Sequence, residues 1–236
     1  EPLNILLLYA DDWTLKVLGA LNPQVKTPNI DQIAQRGLLF THNCVTTSVC
    51  WISRATLATG VYATIHKLLK PQSPSLMDDA VGVSWDETLY PLVHQHGYYT
   101  GLVGKWHAPM TRYMMQAFDY LKMYYGQHWM ERDGQVRHVT DCNNEDALDF
   151  LQNRPRDKKF MLTVSFYATH ALDYKYPPYQ PQNTSMAWYQ NDSITRPVSA
   201  TEEDWKRLPS FLSNQNEARK RCINRFKNAT SYQRHI

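Results

Sequence analysis

At 236 residues, with 43% hydrophobic and 20% charged side chains, the chain is long enough for a sizeable core and ordinary in composition. A net charge of +3 without a long Lys/Arg run leaves no electrostatic footprint for nucleic acid, and no apolar run approaches the ~20 residues of a membrane span. Four cysteines, Cys44, Cys50, Cys142 and Cys222, are too few for a disulfide scaffold and lack the paired spacing of a zinc site.

Residues 4–10, NILLLYA, form a continuous apolar run, which predicts a strand covered on both faces. No secretory leader precedes it, so the chain reads as a mature or trimmed form. TPNIDQIAQRG predicts a helix: Thr27 can cap it, Pro28 suits its first position, Ile30, Ile33 and Ala34 make an apolar face, and Gly37 ends it. LLF at 38–40 reads as a returning strand. Residues 53–59 predict a short helix closed by Gly60. A further helix is expected over 88–96, with Leu89, Leu92 and Val93 facing inward and Gly97 stopping it. YYTGLVG at 98–104 reads as a strand. Residues 143–153 read as a helix carrying Ala147, Leu148 and Leu151. KFMLTVSFY at 159–167 reads as a strong strand, followed by the loop ATHALDYKYPPY. Strands alternating with helices predict an α/β fold with a mainly parallel sheet covered on both sides. In such sheets ligands bind beyond the carboxyl ends of the strands, where Asp11, Asp12, Lys105, His107 and His170 all fall.

Each of these residues has a chemical and a plain structural reading. Asp11-Asp12 offers adjacent carboxylates to a hard cation such as Ca²⁺ or Mg²⁺, or merely caps a turn. Cys50 precedes Arg54 at the mouth of a helix, where free N–H groups and the dipole favour an anion and would lower a thiol pKa. Arg54 carries a fork that can grip an oxyanion, Lys105 can neutralise one, and His107 can move protons near neutral pH. Taken singly, Lys105, His107 and His170 are also ordinary loop side chains.

The order NILLLYADD, TPNIDQIAQRGLLFTHNC, CWISRATLATG and HGYYTGLVGKWH resembles the N-terminal part of the sulfatase family over roughly residues 3–170. The resemblance implies an alkaline-phosphatase-like three-layer α/β sandwich, with residues 1–236 as an N-terminal catalytic domain truncated at its C-terminal side. It implies a sulfuric ester hydrolase acting on a sulfated small molecule or sulfated glycan. Cys50 matches the cysteine that a formylglycine-generating enzyme oxidises. The hydrated aldehyde so formed offers one hydroxyl to attack sulfur and a second that expels sulfate, an exit a serine ester lacks. Asp11 and Asp12 match half of a divalent-metal site, usually calcium, to which the group at Cys50 also contributes. Arg54 is implied to hold the formylglycine, Lys105 to touch it and the substrate sulfate, His107 to assist sulfate release, and His170 to face the substrate.

Two positions depart from the family pattern. Ile52 stands where the modification motif has proline or alanine, and the loop around His170 lacks the usual prolines. The second pair of metal ligands and a second substrate lysine lie further downstream in the family, so residues 1–236 alone are expected to turn over sulfate esters poorly. Alternatives are a non-catalytic truncated relative, a phosphoester or phosphonate hydrolase, or a thiol hydrolase using unmodified Cys50. Sequons at Asn183, Asn191 and Asn228 fit a glycoprotein of the secretory pathway, lysosomal or extracellular.

Overall fold

A computed structural model describes residues 2–67, 83–108, 115–172, 175, 177–193 and 201–213. It divides into two compact units, residues 1–170 and 171–236. Cys222, the sequon at Asn228 and the basic C-terminal stretch lie outside the described residues.

The first unit is built on four strands: β1 (Ile5–Tyr9), β2 (Tyr99–Gly104), β3 (Tyr120–Met123) and β6 (Phe160–Ser165). They pair in the order β1-β6-β2-β3, all in parallel. The register sets Leu6 beside Leu162, Leu8 beside Val164, and Val103 beside Val164 across the other edge of β6. Because side chains alternate across a pleated strand, β6 serves two cores. Met161 joins Leu102, Tyr90, Trp85, Trp106 and Phe118 on one face. Phe160, Leu162 and Val164 join Val103 and Phe150 on the other.

Helices cover both faces. The α-helices of the first unit among the described residues are α1 (Pro28–Arg36), α2 (Cys50–Thr59), α3 (Ala63–His66), α4 (Leu89–Gln95) and α5 (Val139–Asn153). Helix α5 sets the buried Phe150 ring against β2 so closely that a Cβ on Gly101 would lie 2.6 Å from it. A small antiparallel hairpin, β4 (Trp129–Arg132) and β5 (Gln135–His138), precedes α5. Among its described residues the second unit holds three short helices, α6 (Asn183–Trp188), α7 (Glu202–Lys206) and α8 (Ser210–Ser213).

Several expectations need correction. Among the described residues β1 lies at one edge of this sheet, and Leu6 and Leu8, on one of its faces, are each 50% exposed rather than covered. Helix α1 forms where expected, but Ile30 and Ile33 are exposed. Thr27 makes no capping bond: its hydroxyl donates to Asp31 Oδ1 at 2.8 Å and accepts from Gly19 N at 2.7 Å. Residues 38–40 form no strand, and Leu38 and Phe40 face outward. In α4 the inward face is Leu89, Tyr90 and Val93, whereas Leu92 is exposed. Leu148 of α5 is exposed as well. Strand β3 and the β4–β5 hairpin are additions. The hairpin turns on Asp133-Gly134, both at positive φ, the geometry of a two-residue primed turn.

Candidate active site

Three parallel strands deliver the site. β1 ends at Tyr9 and places Asp11 and Asp12, β2 ends at Gly104 and places Lys105, and β6 ends at Ser165 ahead of Thr169 and His170. The strands are stitched together beyond their ends: Phe166 N–H donates to Tyr9 O at 2.8 Å and Lys105 N–H to Ser165 O at 2.8 Å. Gly104 makes this possible. Its φ is 95°, and a Cβ there would sit 2.2 Å from Ser165 O.

Asp11 is the electrostatic hub. Its carboxylate is 5% exposed, with Oδ2 ion-paired to Lys105 Nζ and 3.4 Å from Arg54 Nη2. Lys105 and Arg54 are also buried, so three charges share a buried pocket, where the attraction is stronger than at the surface and removing one partner leaves a costly unpaired charge. Arg54 Nη1 donates to Lys105 O at 2.8 Å, to Trp106 O at 3.4 Å and to Ser165 Oγ at 2.5 Å, and the guanidinium lies 4.9 Å over the Tyr9 ring. Arg54 therefore anchors the segment carrying Lys105 and His107.

Cys50 is the first residue of α2, at the dipole's positive end. Its Sγ lies 3.4 Å from His107 Nδ1. Burial pushes the Cys50 thiol up. Lys105 opposes this, as do a backbone N–H bond and Arg54, while Asp11 reinforces it. The expected lowering of the thiol pKa is thus overturned: desolvation of the thiolate outweighs the helix terminus and the cations. His107 is pushed down to about 4, first by burial and then by the positive charges of Lys105 and Arg54, so it is neutral near pH 7. Its ring meets Trp51 edge-on at 5.9 Å and stacks on Tyr125 at 6.1 Å.

The other side of the site is open. The Asp12 side chain is 59% exposed, and His170 Nε2 stands 3.9 Å from its Oδ2. Thr169 N–H and Oγ1 each donate to Asp11 O at 3.2 Å, fixing the backbone between the two aspartates and the His170 loop. Among the described residues no three His, Cys, Asp or Glu side chains gather as a metal shell. A hard cation takes six or more oxygens, whereas here Asp11 already faces two cations. Asp11 and Asp12 are the carboxylates available for one, but by themselves they do not make a calcium site.

All seven residues expected from the sequence lie at the carboxyl edge of the sheet, and Asp11, Arg54 and Lys105 form one bonded group with Cys50 and His107 paired beside it. The sequence reading missed Ser165, which accepts from Arg54, and Thr169. Ser165 closes the strand whose end pointed to His170 and Thr169 follows it, so the strand-end rule could have found them.

The sulfatase family model matches residues 3–236. The chain belongs to the sulfatase family. Within it, this chain is 28% identical to N-acetylgalactosamine-6-sulfatase of Homo sapiens over 222 residues, covering 76% of this chain and 42% of that protein. It is 28% identical to N-acetylglucosamine-6-O-sulfatase of Bacteroides thetaiotaomicron over 181 residues, covering 71% of this chain and 30% of that protein. Against arylsulfatase A of Bos taurus the identity is 42% over 113 residues, covering 45% of this chain and 21% of that protein. The chain thus spans less than half the length of these curated relatives. The fold matches a structure solved in complex with its substrate D-glucosamine-2-N,6-O-disulfate, with a TM-score of 0.67 at 21% identity, covering 100% of this chain and 58% of that one. It also matches phosphonate monoester hydrolase of Agrobacterium radiobacter, with a TM-score of 0.57 at 21% identity, covering 72% of this chain and 41% of that one. This sulfatase-family chain therefore has the alkaline-phosphatase-like fold, with a parallel sheet between helical layers.

Proposed function

We propose that the protein is a sulfuric ester hydrolase that releases inorganic sulfate at the group carried by residue 50. The observation that carries this reading is the meeting of Cys50, His107, Lys105, Arg54 and Asp11 beyond the strand ends of a chain of this family. Formylglycine derived from Cys50 by a formylglycine-generating enzyme would supply a hydrated aldehyde at that place. The raised thiol pKa argues against an unmodified thiolate nucleophile. Lys105 brings a buried positive charge toward the sulfate oxygens, held in place by Asp11. Arg54 fixes the main chain at 105 and 106, so the lysine and His107 keep their spacing. Neutral near pH 7, His107 presents Nδ1 to accept a proton from a hydroxyl at position 50. Asp11 and Asp12 would contribute to holding a divalent cation, Ca²⁺ or Mg²⁺, which when bound polarises the sulfate.

Residues 1–236 on this reading belong to the N-terminal catalytic part. The substrate class is a sulfated small molecule or sulfated glycan. The amino-sugar names of two relatives and the disulfated glucosamine bound by a structural neighbour support the glycan. A secretory-pathway glycoprotein, lysosomal or extracellular, is supported by Asn183 and Asn191, both exposed in sequons. No described helix is long and apolar enough to cross a membrane.

The test uses protein co-expressed with the formylglycine-generating enzyme. The peptide holding Cys50 is expected to show the mass of the aldehyde, and aryl sulfate plus Ca²⁺ to yield sulfate at a rate that Cys50→Ala abolishes. An unmodified Cys50 peptide together with turnover that survives Cys50→Ala would refute the proposal.

A further inference from the structure

A pair of buried histidines lies apart from the residues above. His128 and His138 are each 2% exposed, their rings 6.0 Å apart. Buried histidines so close are costly to charge, and burial pushes His128 down, partly offset by its hydrogen bond to the His170 carbonyl. His128 precedes β4 and His138 ends β5. Val139 N–H donates to His128 O at 2.7 Å, closing the open end of the hairpin. His138 Nδ1 accepts from Thr140 N at 3.2 Å and so caps α5, while Trp129 packs edge-on against its ring at 5.1 Å. Two-stranded hairpins are marginal alone. This one is bracketed onto α5 by Arg132, which bonds Asp146 at 3.0 and 2.8 Å.

The bracket holds one thing in the active site. His128 Nε2 lies 2.7 Å from His170 O. A carbonyl only accepts, so Nε2 carries the proton and the imidazole is fixed in that tautomer. The same His128 ring packs 5.5 Å from Tyr167, on which the His170 ring stacks at 5.1 Å and 25°. His170 N–H closes back on Tyr167 O at 2.9 Å. His128 therefore touches both the main chain of His170 and the ring that supports its imidazole, which faces Asp12.

We infer that His128 is a positioning residue that sets the place of the His170 imidazole beside Asp12 through its hydrogen bond to the His170 carbonyl. Its catalytic meaning rests on the sulfate-ester reading, whereas the positioning itself does not. The hairpin, which has no place in the central sheet, is then the mount for this contact.

Long-range ¹H–¹⁵N spectra of the imidazoles in the full chain are expected to show His128 neutral with its proton on Nε2. In His128→Phe, which keeps a ring but loses the donor, the His170 ring signals should move and exchange of the His170 amide should accelerate about tenfold or more. In His128→Gln, whose amide nitrogen reaches as far as Nε2, both should stay near the native values. A proton on His128 Nδ1 in the native chain would overturn the inference, even if His128→Phe fails to fold. Unchanged His170 signals in folded His128→Phe would also overturn it, as would equal disturbance by Gln and Phe. With aryl sulfate, His128→Phe should raise KM more than it lowers kcat, with Gln restoring KM. The sulfate-ester reading stands or falls on the Cys50 peptide and the Cys50→Ala variant, whereas the spectra decide the positioning role whether or not the chain turns over.

Discussion

β1 and β2 flank the same strand, β6, in the same direction, and both are apolar runs that deliver charge to the site, yet they end up in different environments. Every residue of β2 after Tyr99 is buried, and Lys105 beyond it is 2% exposed. β1 has β6 on one side only among the described residues, its Leu6 and Leu8 stand half in solvent, and Asp12 beyond it is mostly exposed. An apolar run specifies a strand; burial is decided by what packs across it. The site inherits the difference. Its Lys105–Arg54–Asp11 side is buried and internally paired, and Asp12 on its other side is mostly exposed.

Asp11 and Asp12, one residue apart, give the sharpest test. Asp11→Ala leaves Lys105 and Arg54 buried without their counter-charge, and a loss of about 3–5 kcal/mol of unfolding free energy is expected in urea titrations. Asp12→Ala should cost about 1 kcal/mol, chiefly because Asp12 sits at φ 55°, where alanine is disfavoured. Equal effects would erase the distinction between the two sides.

Next in size is the interior of the sheet. Leu162→Ala on β6, fully buried between Val103 and Phe150, should cost about 2–5 kcal/mol. Acid should weaken the fold as well. Burial holds His66 and His128 below the ordinary histidine pKa, so the unfolded chain binds protons first as pH falls. Their contribution is complete above about pH 6.5 and declines below it, lowering the urea midpoint at pH 5.5 relative to 7.5. His66→Gln should flatten that slope. The smallest effect belongs to the open edge. Leu8→Ser should change stability by less than about 1 kcal/mol while reducing self-association in sedimentation, because it interrupts the exposed Leu6–Leu8 face of a strand paired on one side only among the described residues.

The strands that frame the site were legible because they are long apolar runs with charged residues at their ends. β6, α2 and α5 also stood out, although α2 and α5 begin three and four residues earlier than their apolar periodicity suggested. The hairpin was missed although Asp133-Gly134 is a strong turn signal, because its strands are short and rich in charge. LLF at 38–40 misled because hydrophobicity says nothing about whether a partner strand is available. Cys50 was located correctly and its acidity misjudged. A helix terminus is visible in sequence, whereas the depth at which the sulfur sits is a tertiary property. His128 carried no sequence signal for its role, since its partner is a backbone carbonyl 42 residues away.

Arg54 grips the carbonyls of Lys105 and Trp106, and a carbonyl is present whatever side chain follows it. The contact is therefore blind to amino-acid identity on one side, with a genetic consequence. Substitutions at 106 leave this grip intact and are graded by what the indole loses in the core. A defect at Arg54, conversely, has no complementary substitution at 105 or 106 that could restore a matching partner. Second-site suppressors of Arg54→Lys should fall at Asp11 or Ser165, where side chains meet the guanidinium, and be absent from the segment it holds most closely.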